Sequence, residues 1–165
     1  MFGDALDKKG GTSIEYIRQF MKGKFPGAPK FAVLISDVKD IAKAHVACIG
    51  NNKVGGRRLI VGKDVKRLVE LSQLIAEAMP ESKKKLPTKE LPNLMVKLIS
   101  YIDSSAKTMI PDLGIMMQTD TSYAEEILGF KFKPAKGCIS ENAKSVVRLG
   151  SVSYTHLTLP TMDSV

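Results

Sequence analysis

The chain has 165 residues, 44% hydrophobic and 25% charged, which is enough for one domain with a real core but short for an enzyme with separate cofactor and substrate lobes. Its formal net charge of +8 does not predict a nucleic-acid partner, because the lysines are spread along the chain and the densest run, Lys83 to Lys85, has no aromatic residues interleaved with it. No apolar run approaches the roughly 18 residues of a membrane span and no secretory start is present, so we expect a cytoplasmic protein without a membrane partner.

The first part of the chain predicts a helix and a strand. Ile14, Ile17 and Met21 recur at helical spacing, so we expect a helix from Ser13 to Met21. Turn residues then lead into Phe31 to Ile35, an apolar run that is typical of a buried strand.

A second helix is predicted directly after this strand. Ser36 or Asp37 can cap its N-terminus, and Gly50 ends it. Its apolar stripe is expected to face the core and includes His45. We interpret His45 as a packed core histidine rather than a catalytic base, because nothing in the sequence supplies a partnered nucleophile. The stripe consists of Val38, Ile41, Ala42, His45, Val46 and Ile49.

The middle of the chain predicts a small sheet and a long helix. Arg58 to Val61 predicts a short strand that could join Phe31 to Ile35 in a sheet. Asp64 is expected to cap a helix that Pro80 ends, and Lys83 to Leu86 predicts a short edge strand.

A further apolar helix is predicted from Leu91 to Ile102, with a proline in its first turn. Its core candidates are Met95, Leu98, Ile99 and Ile102. The methionines near Pro111, including Met116 and Met117, favour core filling, although they could also form a malleable substrate pocket.

The stretch from Asp120 to Phe130 predicts a short capped amphipathic helix. Short oxygen-bearing side chains precede it as caps, and Gly129 stands where a left-handed C-cap is needed. Its apolar face consists of Ala124, Ile127 and Leu128. A last helix is predicted from Ser140 to Leu149.

The two cysteines, Cys48 and Cys138, are far apart in the sequence. They predict free thiols rather than a disulfide framework or a metal site.

Two motifs in this order resemble one enzyme family. The first is Asp37-Val-Lys-Asp-Ile-Ala-Lys-Ala-His45, after the predicted strand, and the second is Asp120-Thr-Ser-Tyr-Ala-Glu-Glu-Ile-Leu-Gly-Phe130. Together they resemble the C-terminal half of the extended short-chain dehydrogenase/reductases. The resemblance is to the dihydroflavonol reductase, cinnamoyl-CoA reductase and bacterial aldehyde reductase group, and it covers about Phe2 to Gly150.

The resemblance implies a fold class and the activity of a longer parent protein. The expected fold is α/β: a C-terminal substrate-binding lobe plus the last strands and helices of a Rossmann-type NAD(P)-binding fold, mostly helical with a small sheet. The parent is expected to use NADP or NAD as its cofactor. Its expected partner is a small carbonyl or alcohol substrate, which it would reduce or oxidise, and a homodimer would be usual for the family.

The chain lacks the two motifs on which the family's chemistry depends. It contains no Gly-x-x-Gly-x-x-Gly turn for the pyrophosphate, and none of its four tyrosines precedes a lysine in a Tyr-x-x-x-Lys pair. Both motifs would precede Met1 in the family's order. We therefore interpret residues 1–150 as the C-terminal substrate-binding portion of an extended short-chain reductase, without a catalytic residue of its own and inactive alone.

The resemblance also implies which residues face the ligands. In the family, a strand running into a Gly-Pro corner closes the nicotinamide side of the site; here Phe2 and Gly3 remain, with Asp4 in place of the proline. Phe2 and Gly3 are expected to bind the cofactor. The expected substrate-binding residues are Thr12, Ser13, Tyr16 and Leu34, although Tyr16 could equally be a surface tyrosine.

Residues 151–165 are interpreted as a non-native tail. The stretch from Val152 to Thr161 resembles the translation of a transposase-type sequencing adapter. Such segments are set aside before fold reasoning, so His156 receives no role as a ligand or base.

Two other hypotheses accommodate the same residues. A parent without the Tyr/Lys pair would be a non-catalytic NAD(P)-fold regulator or binding protein. A free-standing basic interaction domain would fold cooperatively alone, whereas a portion of a reductase would expose apolar surface where the missing sheet belongs.

Overall fold

A computed structural model describes residues 1–7, 11–101, 107 and 109–152 of the protein. The helices are α1 (Thr12–Met21), α2 (Val38–Cys48), α3 (Leu68–Ala78), α4 (Asn93–Ile99), α5 (Ser122–Leu128) and α6 (Ala135–Arg148). The strands are β1 (Ala28–Pro29), β2 (Ala32–Ile35), β3 (Asp64–Arg67) and β4 (Glu90–Leu91), and 3-10 helices lie at Asn52–Val54, Pro80–Ser82 and Ile110–Asp112. The expected α/β architecture, mostly helical with small sheets, is confirmed.

Two sheets of two strands each join distant parts of the chain. β1 pairs with β4 in parallel orientation. β2 pairs with β3 in antiparallel orientation, from Ala32 opposite Arg67 to Ile35 opposite Asp64. The strand predicted at Phe31 to Ile35 is therefore confirmed, with its start one residue later.

The partner of β2 is not the strand that the sequence predicted. Arg58 to Val61 pairs with no other strand in the described part of the chain, and Asp64 begins β3 instead of a helix. Helix α3 starts only after Arg67, whose backbone N–H donates to the Glu70 carboxylate at 2.8 Å. The carboxylate of Asp64 accepts from the Ala135 N–H at 2.7 Å, so it satisfies the start of α6 rather than that of α3.

Lys83 to Leu86 is a turn rather than the predicted edge strand. It follows a 3-10 helix in which the Ser82 hydroxyl donates to the Met79 carbonyl at 2.7 Å. This side-chain bond stabilises a local turn in place of an extended segment.

The main core lies between α1, α3 and α6. Phe20 of α1, Leu71 of α3 and Ile139 of α6 have no solvent exposure. Ile17 and Met21, which helical spacing placed on the buried stripe of α1, are equally inaccessible. Three amphipathic helices thus bury their apolar faces against one another.

Helix α2 presents a different face to the core from the one predicted. Val46 and Ile49 of the predicted stripe are 69% and 80% exposed. The buried face carries Ala44, which packs against α5, and Asp40, whose carboxylate accepts from the Lys133 N–H at 2.6 Å. Because Asp40 and Ala44 lie on one side of the helix, burying them turns the apolar stripe outward.

The interpretation of His45 as a packed core histidine is wrong. Its side chain is exposed, and its Nδ1 lies 2.7 Å from the Ile41 carbonyl oxygen one turn earlier. The ring therefore bonds locally to its own helix.

Helix α4 is shorter and more exposed than predicted. It ends at Ile99, and Ile102 lies outside the described residues. Val96 is its buried residue, so the helix contacts the rest of the protein along a narrow line. The apolar side chains that the sequence placed in the core but that are exposed are Met95, Leu98, Met116 and Met117.

Helix α5 confirms the predicted C-cap at Gly129 and a capping role for Asp120, whereas the side chain of the N-cap residue, Thr121, forms no capping hydrogen bond. The carboxylate of Asp120 accepts from the Ser122 N–H at 2.9 Å, and Gly129 has the positive φ of +74° at the C-cap. Ala124 and Leu128 of its predicted apolar face are buried.

Helix α6 is longer than predicted. It begins at Ala135 instead of Ser140, directly after Pro134, whose fixed φ suits a helix start. The bond from Ala135 to Asp64 satisfies this first turn.

None of the described helices is long and apolar enough to cross a membrane. Residues 153–165, including His156, lie outside the described residues, so the assignment of 151–165 as a non-native tail stays a prediction.

Core packing predicts a large effect of truncation at Leu71. Leu71→Ala removes a fully buried side chain between α3 and α6 and should lower the free energy of unfolding by roughly 2–5 kcal/mol. Urea unfolding followed by circular dichroism measures this. The matched control, Leu94→Ala on exposed surface of α4, should change it by less than about 0.5 kcal/mol, and equal losses would contradict the assigned core.

Candidate functional site

The N-terminal segment lies against the end of β2. The Phe2 N–H donates to the Ser36 carbonyl at 2.7 Å, and the Val38 N–H donates to the Phe2 carbonyl at 2.9 Å. These bonds form a parallel bridge between Phe2 and Asp37, and the Phe2 side chain is buried in the main core. Phe2 therefore fixes the position of the segment through both its backbone and its ring.

Gly3 follows in a conformation that requires glycine. Its φ is +108°, and an added Cβ would lie 3.1 Å from Asp37 Oδ2 and 3.2 Å from Val38 Cγ1. Both backbone strain and close approach exclude a larger residue here without rearrangement.

One face of α6 holds the backbone that follows. Asn142 Nδ2 donates to the Gly3 carbonyl at 2.7 Å, and the Ala5 N–H donates to Ser145 Oγ at 3.0 Å. Arg148 donates to the Ala5 carbonyl at 3.2 Å. The three side chains are spaced three residues apart, so they lie along one face of the helix.

Asp4 stands where the resembled family has a proline. Its carboxylate accepts from Arg148 at 2.7 Å on partly exposed surface. The departure from the family pattern thus adds an ion pair between α6 and residues 2–5, which we call the Gly3 corner.

A cavity of about 440 Å³ opens between this corner and the start of α1. Four of the residues that the sequence assigned to ligand binding line it together: Phe2, Gly3, Thr12 and Ser13. Apolar side chains of Ile14 and Val38 form part of its wall. A mostly apolar cavity with a few polar groups is the usual form of a small-molecule site.

Tyr16 and Leu34 do not line this cavity. Tyr16 is half-buried on α1, and Leu34 is half-buried in β2 opposite Val65. Their roles as substrate-binding residues stay predictions.

Sequence reasoning missed Asn142 and Ser145. Asn142 bonds to a residue 139 positions away, a contact that no local pattern indicates. A signal was nevertheless present, because Asn142 lies one turn from both Ile139 and Val146 on the buried stripe of α6. An asparagine on such a stripe must find a hydrogen-bond partner inside the protein.

The buried carboxylate of Glu125 on α5 links the loop that contains Lys63 to residues 131–132, which follow α5. Glu125 accepts from Lys63 Nζ at 2.8 Å, from the Phe132 N–H at 3.0 Å and from Lys131 Nζ at 2.9 Å. The Lys63 hydrogen bond, with those from Phe132 and Lys131, lowers the pKa of Glu125 to about 2. The residue is therefore a structural anion rather than an acid catalyst.

A second charged cluster, next to the Gly3 corner, consists of Asp37, Lys133 and Glu141. Lys133 pairs with Glu141 and lies 3.5 Å from Asp37 Oδ2. Burial lowers the pKa of Lys133, but the Glu141 hydrogen bond and the Asp37 charge outweigh it and raise the pKa overall. Burial, with the Asp37 charge, raises the pKa of Cys138 to about 12. This thiol is protonated at neutral pH and is therefore not a nucleophile.

Phe2 and Gly3, the two residues that the sequence assigned to the cofactor, both line the cavity. The sequence contains no glycine-rich turn of the kind that holds the phosphates of NAD(P). The described part also contains no cluster of three or more His, Cys, Asp or Glu side chains that could hold a metal ion. Binding of the cofactor at Phe2 and Gly3, and of a substrate at Thr12 and Ser13, stays a prediction.

Comparison with known proteins gives a match in structure but not in sequence. No protein-family profile and no curated protein sequence matches the chain. The yeast methylglyoxal/isovaleraldehyde reductase Gre2, complexed with NADPH, matches with a TM-score of 0.64 at 23% identity. The chain has the fold of one part of the Gre2-type reductases. The match covers 92% of this chain and 45% of yeast Gre2.

Other solved structures give the same Gre2-like fold. The protein gox2253 matches with a TM-score of 0.71 at 16% identity, over 92% of this chain and 48% of its own. Gre2 from Candida albicans matches with a TM-score of 0.64 at 21% identity, over 90% and 42%. The chain spans about half the length of these proteins, in agreement with the partial resemblance to the extended short-chain reductases.

The backbone geometry at Gly3 predicts that replacing this glycine lowers the free energy of unfolding. Gly129→Ala, where an added Cβ meets nothing within 4 Å, should lose about 1 kcal/mol of stability from its positive φ alone. Gly3→Ala should lose at least about 1 kcal/mol more, because its Cβ also crowds Asp37 and Val38. Urea denaturation measures both, and equal losses would contradict the described geometry.

Glu125 predicts loss of stability in acid. Because its folded pKa lies below its ordinary value of 4.5, its contribution is complete above about pH 5 and is lost as the pH falls from 4.5 towards 2. Glu125→Gln should lower the midpoint of thermal unfolding at pH 7 and flatten its fall between pH 5 and 3. Glu126→Gln, on an exposed residue of the same helix, should keep the wild-type pH profile. An unchanged profile for Glu125→Gln would contradict the buried anion.

Proposed function

We propose that residues 1–150 are the C-terminal substrate-binding portion of a NAD(P)-dependent oxidoreductase. The whole protein reduces a small aldehyde or ketone to an alcohol in the cytoplasm, in the manner of the dihydroflavonol reductase group. The observation that carries the proposal is the Gre2-like fold over 92% of the chain, with 45% of the yeast reductase covered. The two Gre2 structures with NADPH support NADPH as the cofactor, and the yeast protein's methylglyoxal and isovaleraldehyde support small aldehydes as substrates.

Two exposed features of the surface support the proposal that a further domain packs against residues 1–150. The apolar stripe of α2 faces outward, and Arg58 to Val61 alternates between exposed and half-buried residues without a strand partner in the described part. An apolar helix face and an unpaired strand-like segment are costly in water. A larger sheet domain packed there would cover both.

The chain alone is expected to be inactive. Hydride transfer requires the cofactor and the carbonyl carbon at near-attack distance, and it requires a proton donor for the carbonyl oxygen. The corner at Gly3 supplies a wall, but the sequence contains neither the phosphate turn nor the Tyr-x-x-x-Lys pair. We therefore expect no oxidation of NADPH by the purified chain with an aromatic aldehyde, measured by absorbance at the cofactor's band.

The decisive experiment is to sequence the source DNA across the codons for Met1 and Gly150 and to express the uninterrupted frame. A reductase parent should carry the phosphate turn and the Tyr-x-x-x-Lys pair upstream and should oxidise NADPH with small aldehydes. The purified 165-residue chain serves as the matched control. Turnover by that chain, or an upstream half that binds NADPH without the pair and without turnover, would contradict the proposal, the second result favouring a regulator.

A further inference from the structure

Six exposed lysines form one surface although they come from two separate parts of the sequence. β1 pairs with β4 in parallel orientation, and the Ala28 N–H donates to the Lys89 carbonyl at 2.9 Å. Earlier along the same two segments, a Cβ added to Gly23 would lie 3.3 Å from Lys85 Cβ. The two segments therefore run side by side and bring their lysines together. This lysine surface consists of Lys22, Lys24, Lys83, Lys84, Lys85 and Lys89.

The lysine surface has little compensating negative charge. The two carboxylates on residues 22–29 and 81–91 are Glu81 and Glu90, and Glu90 already pairs with Arg67 at 3.3 Å. Within the part of the chain that the structure describes, neither Lys83 nor Lys84 forms an ion pair. Like charges held side by side repel one another, so an anionic partner would stabilise this arrangement.

The lysine surface leads directly into an exposed apolar helix. α4 begins two residues after β4, and its Leu94 and Leu98 are 70% and 60% exposed. Tyr101, which is also exposed, follows three residues after Leu98. These three side chains lie on one face, because they are spaced four and three residues apart, and the buried Val96 lies on the opposite face.

A second exposed apolar segment lies beside the start of α4. The Gly114 N–H donates to the Lys30 carbonyl at 2.7 Å, and a Cβ added to Gly114 would lie 3.6 Å from Asn93 Nδ2. Ile115 and Met116 follow directly and are exposed. We call the exposed side chains of these two segments the apolar patch, which consists of Leu94, Leu98, Tyr101, Ile115 and Met116. The charged residues at its edge are Lys30, Lys97 and Asp112.

An anionic bilayer matches both surfaces, because it offers negatively charged headgroups beside an apolar interior. Nucleic acid matches less well. Single strands bind where exposed aromatic rings stand among the lysines, whereas Phe25, the aromatic residue of the two lysine-bearing segments, is half-buried and packs edge-on against Phe20. A duplex would contact the lysines and leave the apolar patch in water.

We propose that the lysine surface and the apolar patch dock the protein on an anionic phospholipid bilayer. The lysines contact the headgroups, Leu94 and Leu98 enter the outer edge of the acyl chains, and Tyr101 lies at the boundary between them. This contact is peripheral, so it requires no membrane-spanning helix. It uses different elements from the outward stripe of α2, and it does not depend on the proposed reductase activity.

The test measures flotation of the full 165-residue chain with lipid vesicles on a density gradient, in which aggregated protein stays at the bottom. One set of vesicles contains phosphatidylcholine alone, and the other contains equal parts of phosphatidylcholine and phosphatidylserine. We expect at least about ten-fold tighter binding to the phosphatidylserine vesicles at low salt. Binding should weaken at about 0.5 M salt, because salt screens the lysine charges.

A pair of charge variants tests whether the lysine surface makes the contact. Lys83→Glu with Lys84→Glu should weaken binding to phosphatidylserine vesicles by about ten-fold or more. The matched control, Lys43→Glu with Lys144→Glu, changes the net charge equally at exposed positions of α2 and α6 and should weaken binding less than about three-fold. Equal losses would overturn the proposal, because net charge alone would then account for binding.

A pair of apolar variants tests insertion. Leu94→Gln with Leu98→Gln should weaken vesicle binding by about ten-fold or more, since two leucine side chains no longer leave water. Val46→Gln with Ile49→Gln, on the exposed stripe of α2, should leave binding unchanged. Both pairs replace exposed residues, so circular dichroism should show the wild-type fold. Unchanged binding of the α4 variant would overturn the proposal.

A fluorescence reporter locates the contact without weakening it. The chain contains no tryptophan, so Leu98→Trp gives a single signal, which should shift to shorter wavelength on phosphatidylserine vesicles. Ile49→Trp should show no shift. A shift in both variants or in neither would contradict the assigned surface. Failure of the chain to float, equal binding to both lipid compositions, or binding to duplex DNA without flotation would also overturn the proposal.

Discussion

The buried side of α6 is the constraint on which the rest of the structure depends. Ile139 and its neighbours pack against α1 and α3, while Asn142 and Ser145 on the same helix bind the backbone of residues 3–5. One helix therefore holds both the core and the corner that forms the cavity. Any movement of α6 relative to α3 would displace the cavity wall, because the ties are short hydrogen bonds between buried groups.

Hydrogen bonds to buried carboxylates set the orientation of α2, which the spacing of its apolar residues predicted wrongly. The stripe of α2 would have faced inward if hydrophobicity alone set the rotation of the helix. Asp40 instead binds the Lys133 N–H, and Asp64 binds the Ala135 N–H, each at 2.7 Å or less. Buried N–H groups are costly without partners, so these two carboxylates fixed the orientation of α2 and the boundary of α3.

The cavity and two ionisable groups have well-defined environments. The cavity joins an apolar wall to a few fixed polar groups, and the two ionisable groups are stabilised in charge states that suit structure: Glu125 as an anion and Cys138 as a neutral thiol.

The sequence by itself determined the local elements and the partial family resemblance. The cap at Asp120, the glycine stop at Gly129, the strand at β2 and the buried stripe of α1 depend on neighbours within a few residues, so their patterns suffice. The structure also brought Phe2, Gly3, Thr12 and Ser13 to one cavity. Only the tertiary structure decided the partner of β2, the rotation of α2 and the role of Asn142, because these depend on contacts between residues far apart in the chain.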